Sequence, residues 1–202
     1  NLHAYWVLQG GNGYDYVHAD IHHLTSSGTS VYCGSDGGLF RSNWSNLNFT
    51  DMSEGLSISQ CYRIAVDPSN ADRVMVGLQD NGTVILNNGV WTHIQGGDGM
   101  VCHFDPSNSN TVYLSAQFGA FYSSTNGGFN TEWAAGGITD DGVWTTPWII
   151  DPNNSSIMYG GFTNVWKTSN GGNSWTQTAA TINTELRTLA MSAANSNVVY
   201  AA

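Results

Sequence analysis

A repeat of about forty residues is the feature of this chain that most constrains its fold. In each copy, a short apolar run is followed by an Asp-Pro-x-Asn turn sequence, or a relative of it, and then by a second apolar run. The gap-free copies begin at Ile64, Cys102, Ile149 and Leu189, and a fainter copy runs from Asp20 to Leu24. The second run of each copy carries a tyrosine or methionine, with steps of 43, 38, 46 and 41 residues between Tyr32, Met75, Tyr113, Tyr159 and Tyr200.

Each copy reads as a strand, a tight turn and a second strand. Proline fixes φ for the turn, and Asp and Asn side chains bond the neighbouring backbone. A Gly-rich loop, a third run, another turn and a fourth run complete the repeat, because four short strands with their turns fill about forty residues. This period with four strands is that of a propeller blade. The sequence therefore predicts an all-β fold, a β-propeller of four-stranded antiparallel blades.

The predicted blades cover approximately residues 18–50, 61–95, 99–135 and 145–178. A partial blade is expected at 187–202, and the run Tyr5–Leu8 is predicted to be a strand of another. About four complete blades with partial blades at both ends favour a fragment of a ring with six or more blades, and the alternative is a four-bladed ring. On this interpretation, residues 1–202 are part of one propeller domain.

The second turn of the repeat carries a recognisable motif. The run from Thr168 to Trp175 resembles the Asp-box, Ser/Thr-x-Asp-x-Gly-x-Thr-Trp, with Asn170 in the acidic position and Gly172 in the glycine position. A weaker copy contains Ser124, Asn126 and Gly128, with its tryptophan displaced to Trp133. Both copies are in phase with the forty-residue repeat. The chain thus resembles the Asp-box (BNR-repeat) propeller group, which includes sialidases, sortilin-type receptor domains, xyloglucanases and secreted bacterial surface proteins.

This resemblance implies a location and a role for the motif. Four passages, at residues 18–23, 34–38, 77–82 and 96–99, look like those of the bacterial surface members of the group. We therefore expect a secreted or cell-surface protein of bacterial origin. In the group the Asp-box is a structural turn, so its residues are expected to support the fold and to have no catalytic role.

The net charge of the chain limits the classes of partner that it can bind. Five basic residues stand against fifteen acidic ones, for a net charge of −10. This charge repels phosphate backbones, so nucleic acid is excluded as a partner, as are anionic membrane surfaces. No apolar stretch approaches the roughly 20 residues of a membrane span.

Three cysteines allow at most one internal bridge, and the alternative is three buried thiols that act as small hydrophobes.

Strand direction predicts which loops share a face. In an antiparallel blade the second-to-third loops and the connections between blades lie at the same end. That end, the acidic loop face, receives polar residues from Gly-rich segments, namely Asp36, Gln79, Asp80, Asn81, Asp98, Asp140 and Asp141. Loops carry binding functions more often than the scaffold does. The leading hypothesis is a recognition or structural module that contacts a glycan or an extracellular protein here, and its carboxylates also suit Ca²⁺.

A histidine-rich segment permits two interpretations. Aligned on the repeat, Leu24 takes the place of Asp67, which predicts that His18, Asp20 and His22 lie on one side of a first strand. His103 is then the counterpart of His22. Two imidazoles and a carboxylate at this spacing could ligate zinc or another divalent ion. The alternative is a hydrogen-bonded polar ladder that lines a channel.

A glycoside hydrolase is the alternative function. Its acid and base carboxylates would come from Asp36, Asp80 and Asp98, which share the acidic loop face. Tryptophans could stack on sugars, but the repeat places Trp91 and Trp175 at core positions. The tryptophans left for glycan contact are Trp6, Trp44, Trp144 and Trp148, and the alternative for most of them is a core position.

Sialidase activity is disfavoured. The run Tyr62–Ala65 superficially resembles the Arg-Ile-Pro motif of sialidases, in which arginines hold a carboxylate. The resemblance requires further arginines at matching positions, but Arg63 has Asp20, Val101 and Pro147 as its predicted counterparts.

Overall fold

The computed structural model describes residues 17–192 and 194–202. The first blade comprises β1 (Ile21–Ser27), β2 (Ser30–Ser35), β3 (Gly38–Asn43) and β4 (Thr50–Asp51). The second comprises β5 (Cys61–Asp67), β6 (Asn70–Leu78), β7 (Gly82–Asn87) and β8 (Val90–Gln95). The third comprises β9 (Cys102–Asp105), β10 (Asn108–Ala116), β11 (Ala120–Ser124) and β12 (Glu132–Trp133). The fourth comprises β13 (Trp148–Ile150), β14 (Met158–Gly161), β15 (Val165–Thr168) and β16 (Thr176–Gln177), and β17 (Leu189–Ser192) with β18 (Asn195–Ala201) forms a two-stranded sheet.

Every blade is a consecutive antiparallel sheet. Each strand pairs with the next one along the chain, so the strand order within a sheet is the sequence order. The described residues contain one 3₁₀ turn, Gln117–Gly119, and no α-helix. The prediction of an all-β fold with four-stranded antiparallel blades is therefore confirmed. The strand predicted at Tyr5–Leu8 lies outside the described residues.

Within residues 17–192 and 194–202, the structure has no helix with the length and hydropathy of a membrane span.

The core lies between neighbouring blades. The largest cluster of buried side chains joins the third blade to the fourth, through Tyr113, Phe121, Trp148, Met158 and Trp175. The inner strands also lie against one another, β5 against β9 and β13 against β17. The second blade therefore buries its apolar face on the third, the third on the fourth and the fourth on the β17–β18 sheet, as is expected for a repeat that cannot bury it alone.

The Asp-Pro-x-Asn turns are built around a buried carboxylate. Asp67, Asp105 and Asp151 are 3%, 6% and 2% exposed. Each accepts a hydrogen bond from the backbone N–H two residues later, at 2.8, 2.8 and 2.9 Å. This is the Asx-turn geometry that the sequence indicates, and it satisfies the carboxylate locally.

The same carboxylates also bond the following blade. The hydroxyl of Ser109 donates to Asp67 at 2.7 Å, and Ser155 and Ser196 donate to Asp105 and Asp151. These three serines occupy one repeat position, directly after the asparagine of their own turn. The equivalent bond between the first and second blades lacks both partners, because Ser27 replaces the aspartate in the first blade and Ala71 replaces the serine in the second. The Asp–Ser bond is thus a repeated contact between adjacent blades.

The second turns of the third and fourth blades share one hydrogen-bond pattern. Thr168 Oγ1 accepts the N–H of Gly172 at 3.1 Å, and Asn170 Oδ1 accepts the N–H of Ser174 at 3.0 Å. The equivalent bonds run from Gly128 to Ser124 at 3.0 Å and from Asn130 to Asn126 at 3.0 Å. The side chains of these motif residues support the turn itself.

The three cysteines, all in described residues, are free thiols. Cys33 and Cys102 are buried, and burial raises the pKa of Cys102 to about 12. Cys61 is exposed, so the interpretation of three buried thiols is wrong for that residue. Cys61 is the first residue of β5, a strand whose side chains are mostly exposed.

Candidate functional site

Loops from the first two blades converge at one end of the structure. The backbone N–H of Asp80 donates to Asp98 Oδ1 at 2.9 Å. The side-chain amide of Asn81 donates to the carbonyl of Asp36 at 3.4 Å, and the N–H of Asp36 donates to the carbonyl of Asp20 at 3.3 Å. These bonds link residues as far apart in the sequence as Asp20 and Asp98, which are separated by 78 positions. The residues belong to the first two blades and to the connections that flank them.

Glycines allow the close approach of these loops. A β-carbon at Gly77 would lie 2.2 Å from the carbonyl oxygen of Met100, and one at Gly99 would lie 2.1 Å from that of Gly82. The connection between the second and third blades thus lies directly on the loop that carries Asp80. Backbone contact at this range leaves no space for a side chain, which explains the glycines beside the acidic residues.

Three carboxylates meet at this face. One oxygen each from Asp20, Asp36 and Asp80 lies within 4.8 Å of the other two. Burial raises the pKa of Asp80, and repulsion from Asp98, Asp36 and Asp20 adds to the effect. Asp80 consequently keeps its proton to a higher pH than an isolated aspartate does. For Ca²⁺, which takes about six to eight oxygen ligands, the three carboxylates supply about half a shell if each binds through the one oxygen that lies in the group.

The histidine segment does not lie on one strand. β1 begins at Ile21, so His18 and Asp20 precede it and only His22 is within it. The reason is a tight turn, in which Ser27 pairs with Ser30 and Gly28 adopts φ +59°. Ser27, rather than Leu24, is therefore the counterpart of Asp67, and the predicted alignment of this copy is wrong by three residues.

The correction separates the predicted histidine ligands. His18 is buried, and its Nε2 donates to the carbonyl of Asp80 at 2.9 Å. His22 bonds the carboxylate of Asp36. In the observed register, His103 pairs with Tyr113 as Thr25 pairs with Tyr32, so His103 is the counterpart of Thr25 and not of His22. Among the described residues, only the Asp20, Asp36 and Asp80 group brings three candidate ligand atoms together.

His18 positions the acidic residues. Its ring fills the space over Gly37, where a β-carbon would lie 2.2 Å from the His18 side chain. Through its bond to Asp80, His18 holds the loop of the second blade against the loop of the first. This role follows from packing and hydrogen bonding and needs no metal.

Two adjoining cavities open on the acidic loop face, with volumes of about 350 and 310 Å³. Both are lined by Asp36, Asn81, Leu56 and Ile58. The first also includes Gln79 and Asp80, and the second is completed by the loop at residues 53–59. Their walls combine carboxylates and amides with exposed aliphatic side chains. No lysine or arginine is among the described residues that line them.

An aromatic patch, formed by Tyr62, Phe118 and Trp144, adjoins the acidic residues. Phe118 and Trp144 are 58% and 43% exposed, and their rings pack edge to face at 5.1 Å. Trp144 Nε1 donates to the Tyr62 hydroxyl at 2.9 Å, and that hydroxyl donates to Gln79 Oε1 at 3.3 Å. A chain of hydrogen bonds therefore connects the aromatic patch to the loop of Asp80.

Sequence reasoning named Trp144 but missed Tyr62 and Phe118 as site residues. Phe118 occupies the position of Asp80 in the following blade, after Gln117 and Gln79 respectively, and both have positive φ (60° and 57°). Alignment of the second-to-third loops could have shown this equivalence. Tyr62 has no such signal, because only its long-range bonds distinguish it.

The structure gives different results for the other tryptophans that were considered for glycan contact. Trp148 is 4% exposed and belongs to the core, which is the alternative to glycan contact for this residue. Trp44 is 63% exposed but lies in the β3–β4 turn, at the opposite end from the acidic loop face. Trp6 lies outside the described residues. Of the three tryptophans that the structure describes, Trp144 alone is both exposed and linked by hydrogen bonds to the acidic loop face.

The comparisons with known proteins identify the fold. No protein-family model matches the sequence, and no curated protein matches it. Among solved structures the chain is similar to an ancestral GH74 enzyme, with a TM-score of 0.61 and 19% identity over 90% of this chain and 27% of that one. It is also similar to the GH74 enzyme of Niastella koreensis, with a TM-score of 0.53 and 19% identity over 84% of this chain and 31% of that one. For the GH74 xyloglucanase from Xanthomonas campestris, the TM-score is 0.50 with 13% identity over 80% of this chain and 29% of that one.

These neighbours are β-propeller proteins, and the described residues have the architecture of part of such a propeller. The chain spans less than a third of the length of each of the three structures. At these identities the likeness shows the fold alone.

Proposed function

We propose that the chain is part of one Asp-box propeller domain of a secreted or cell-surface bacterial protein, and that its acidic loop face binds an extracellular glycan. The observation that carries this proposal is the hydrogen-bonded chain from Trp144 through Tyr62 to Gln79. It connects the exposed aromatic rings to Gln79, which lines the larger of the two cavities on the acidic loop face. The shared bonding of the turns at Ser124 and Thr168 supports their assignment as Asp-boxes.

A neutral sugar matches the chemistry of this surface. The apolar face of a sugar ring packs on aromatic side chains, as on Phe118 and Trp144, while its hydroxyls bond polar groups at the rim. Asp36, Asp80 and Gln79 offer acceptors for those hydroxyls. Because the described cavity walls contain acidic but no basic side chains, an anionic glycan is repelled.

Replacing Trp144 with alanine should weaken binding of a neutral polysaccharide by about tenfold, because it removes a stacking ring and the donor to Tyr62. The full 202-residue chain is titrated with neutral plant and bacterial polysaccharides, and affinity is measured by calorimetry. Trp44→Ala is the matched control, since Trp44 is more exposed but lies at the other end. Equal affinity of the Trp144→Ala and Trp44→Ala variants for a polysaccharide that the parent chain binds would contradict the proposal.

Glycoside hydrolysis is the second candidate function, favoured by one observation. Burial and acidic neighbours raise the pKa of Asp80, which is the direction of shift that a general acid needs. Its carboxylate and that of Asp36 have oxygens within 4.8 Å of each other. This is shorter than the roughly 6.5–9.5 Å of an inverting pair and closer to the roughly 5–5.5 Å of a retaining pair.

If the face hydrolyses glycans, Asp80→Asn should lower the rate of reducing-end release by about a hundredfold or more, because asparagine cannot donate the proton. Polysaccharide affinity should be retained in the same variant. Asp72→Asn, which changes an exposed aspartate of the same blade, is the control and should keep full activity. Release of reducing ends that survives in Asp80→Asn, or none from the parent chain on any bound polysaccharide, would exclude this function.

A further inference from the structure

A third cavity lies on the inner strands and shares no lining residue with the two acidic cavities. Its volume is about 280 Å³, and it is bounded by residues of, or next to, β5, β9, β13 and β17. We call it the inner cavity. Its polar lining residues are Arg63, His103, Thr145, Arg187 and Thr188.

The charge of the inner cavity is opposite to that of the rest of the chain. Two of the five basic residues line it, and no aspartate or glutamate is among the described residues of its wall. Arg63 Nη1 donates to the carbonyl of Tyr62 at 2.8 Å, and Arg187 Nη2 donates to Glu185 at 2.6 Å. A guanidinium carries five N–H donors, so each arginine has further donors for an oxyanion.

His103 adds an acceptor to this wall. Its Nε2 is buried and, among the described residues, has no hydrogen-bond partner. Burial lowers the pKa of His103, although a bond to the backbone of Trp148 opposes the shift. The ring also packs edge to face on Trp148 at 4.6 Å, which fixes its orientation. A neutral imidazole whose other nitrogen donates to a backbone carbonyl presents Nε2 as an acceptor. An acceptor that is buried without a hydrogen-bond donor costs free energy.

We infer that the inner cavity binds a small hydroxycarboxylate, such as a single sugar acid. Its carboxylate would lie between Arg63 and Arg187. A small shift of the His103 ring towards the cavity would bring the buried Nε2 within reach of the ligand hydroxyl, which would donate to it. The threonine hydroxyls of residues 145 and 188 supply further polar contacts. The volume is near the lower end of the roughly 300–1,000 Å³ range of ligand pockets, which restricts the ligand to one small unit. This site is separate from the acidic loop face and does not depend on the proposed function.

The test uses D-glucuronate as the anionic probe and D-glucose as its neutral counterpart, titrated into the full 202-residue chain by calorimetry. Glucuronate should bind with a dissociation constant on the order of 1 mM, and glucose should bind more weakly by about tenfold or more. Arg63→Met and Arg187→Met should each weaken glucuronate binding by about tenfold, because each removes charge-assisted hydrogen bonds. Arg41→Met, which changes an exposed arginine of β3 outside the cavity, should have no effect.

A second measurement reports on His103 directly and needs no substitution in the core. The ¹⁵N resonance of His103 Nε2 should move when glucuronate is added and stay in place with glucose, because only the bound ligand donates to it. Trp144→Ala should leave glucuronate binding unchanged, so failure here and failure of the glycan proposal give different results. Glucuronate binding no tighter than glucose binding would overturn the inference. So would tighter binding of inorganic phosphate with no change at His103, because that result identifies an anion site without hydroxyl recognition.

Discussion

Replacing Asp67 with alanine should lower the free energy of unfolding by about 3–5 kcal/mol, because it leaves a buried arginine without its counter-ion. Asp67 and Arg73 are 3% and 7% exposed, and the carboxylate Oδ2 lies 3.1 Å from Arg73 Nη1. The same guanidinium bonds the carbonyls of Ser109 and Gly127 in the third blade and lies over the Phe104 ring at 5.0 Å. Loss of the aspartate therefore disturbs the contact between two blades as well as one turn.

Urea unfolding of the 202-residue chain at neutral pH measures this effect. The double variant Asp67→Ala/Arg73→Met should recover most of the loss, because methionine removes the unpaired charge from the interior. Glu185→Ala breaks the pair with Arg187, whose side chains are 62% and 70% exposed, and should cost no more than about 1 kcal/mol. If Asp67→Ala costs as little as Glu185→Ala, Arg73 does not depend on Asp67 for its burial.

The free energy of unfolding at acid pH provides a second test of the Asp67→Ala variant. Burial raises the pKa of Asp67, but hydrogen bonds from Ser109, Ser69 and Arg73 outweigh it and lower the pKa to about 2. The stabilisation from this carboxylate is thus complete above its ordinary pKa of 3.8 and is lost as the pH falls towards 2. The stability difference between the parent chain and Asp67→Ala should consequently narrow over that interval.

The repeat made the fold predictable, and one missing turn residue explains where the prediction failed. Asp67, Asp105 and Asp151 locate the first turn of their blades, because an Asx turn forms between residues that are adjacent in the sequence. In the first blade Ser27 replaces that aspartate and Gly28 forms the turn. Without the aspartate, the alignment moved by three residues and placed His18 on a strand that begins later.

The site was predictable only to the extent that strand direction determines it. Alternating strand direction correctly assigns Asp36, Asp80 and Asp98 to one end, because that inference needs only the order of strands and loops. Contacts between distant residues had no local signal. The bond between Trp144 and Tyr62 joins residues 82 positions apart, and Arg187 reaches the cavity of Arg63 from three blades away along the chain.

The two tryptophans of the second turns should respond very differently to the same substitution. Trp175→Ala should lower the free energy of unfolding by about 3–5 kcal/mol, because it empties a large buried volume between the third and fourth blades. Trp175 is 4% exposed, its Nε1 donates to the carbonyl of Ala134 at 2.7 Å, and its ring lies 5.4 Å from that of Phe121.

Trp133→Ala is the matched control for that substitution, because Trp133 is the displaced tryptophan of the neighbouring blade. It is 60% exposed and touches the ring of Tyr122 edge to face at 5.6 Å, so its removal should cost about 1 kcal/mol or less. Both variants are compared with the parent chain by urea unfolding with the same m-value analysis. The repeat places a tryptophan at the core position of the fourth blade but not of the third. If the two substitutions lower the free energy of unfolding equally, the second turn does not direct its aromatic residue into the space between blades.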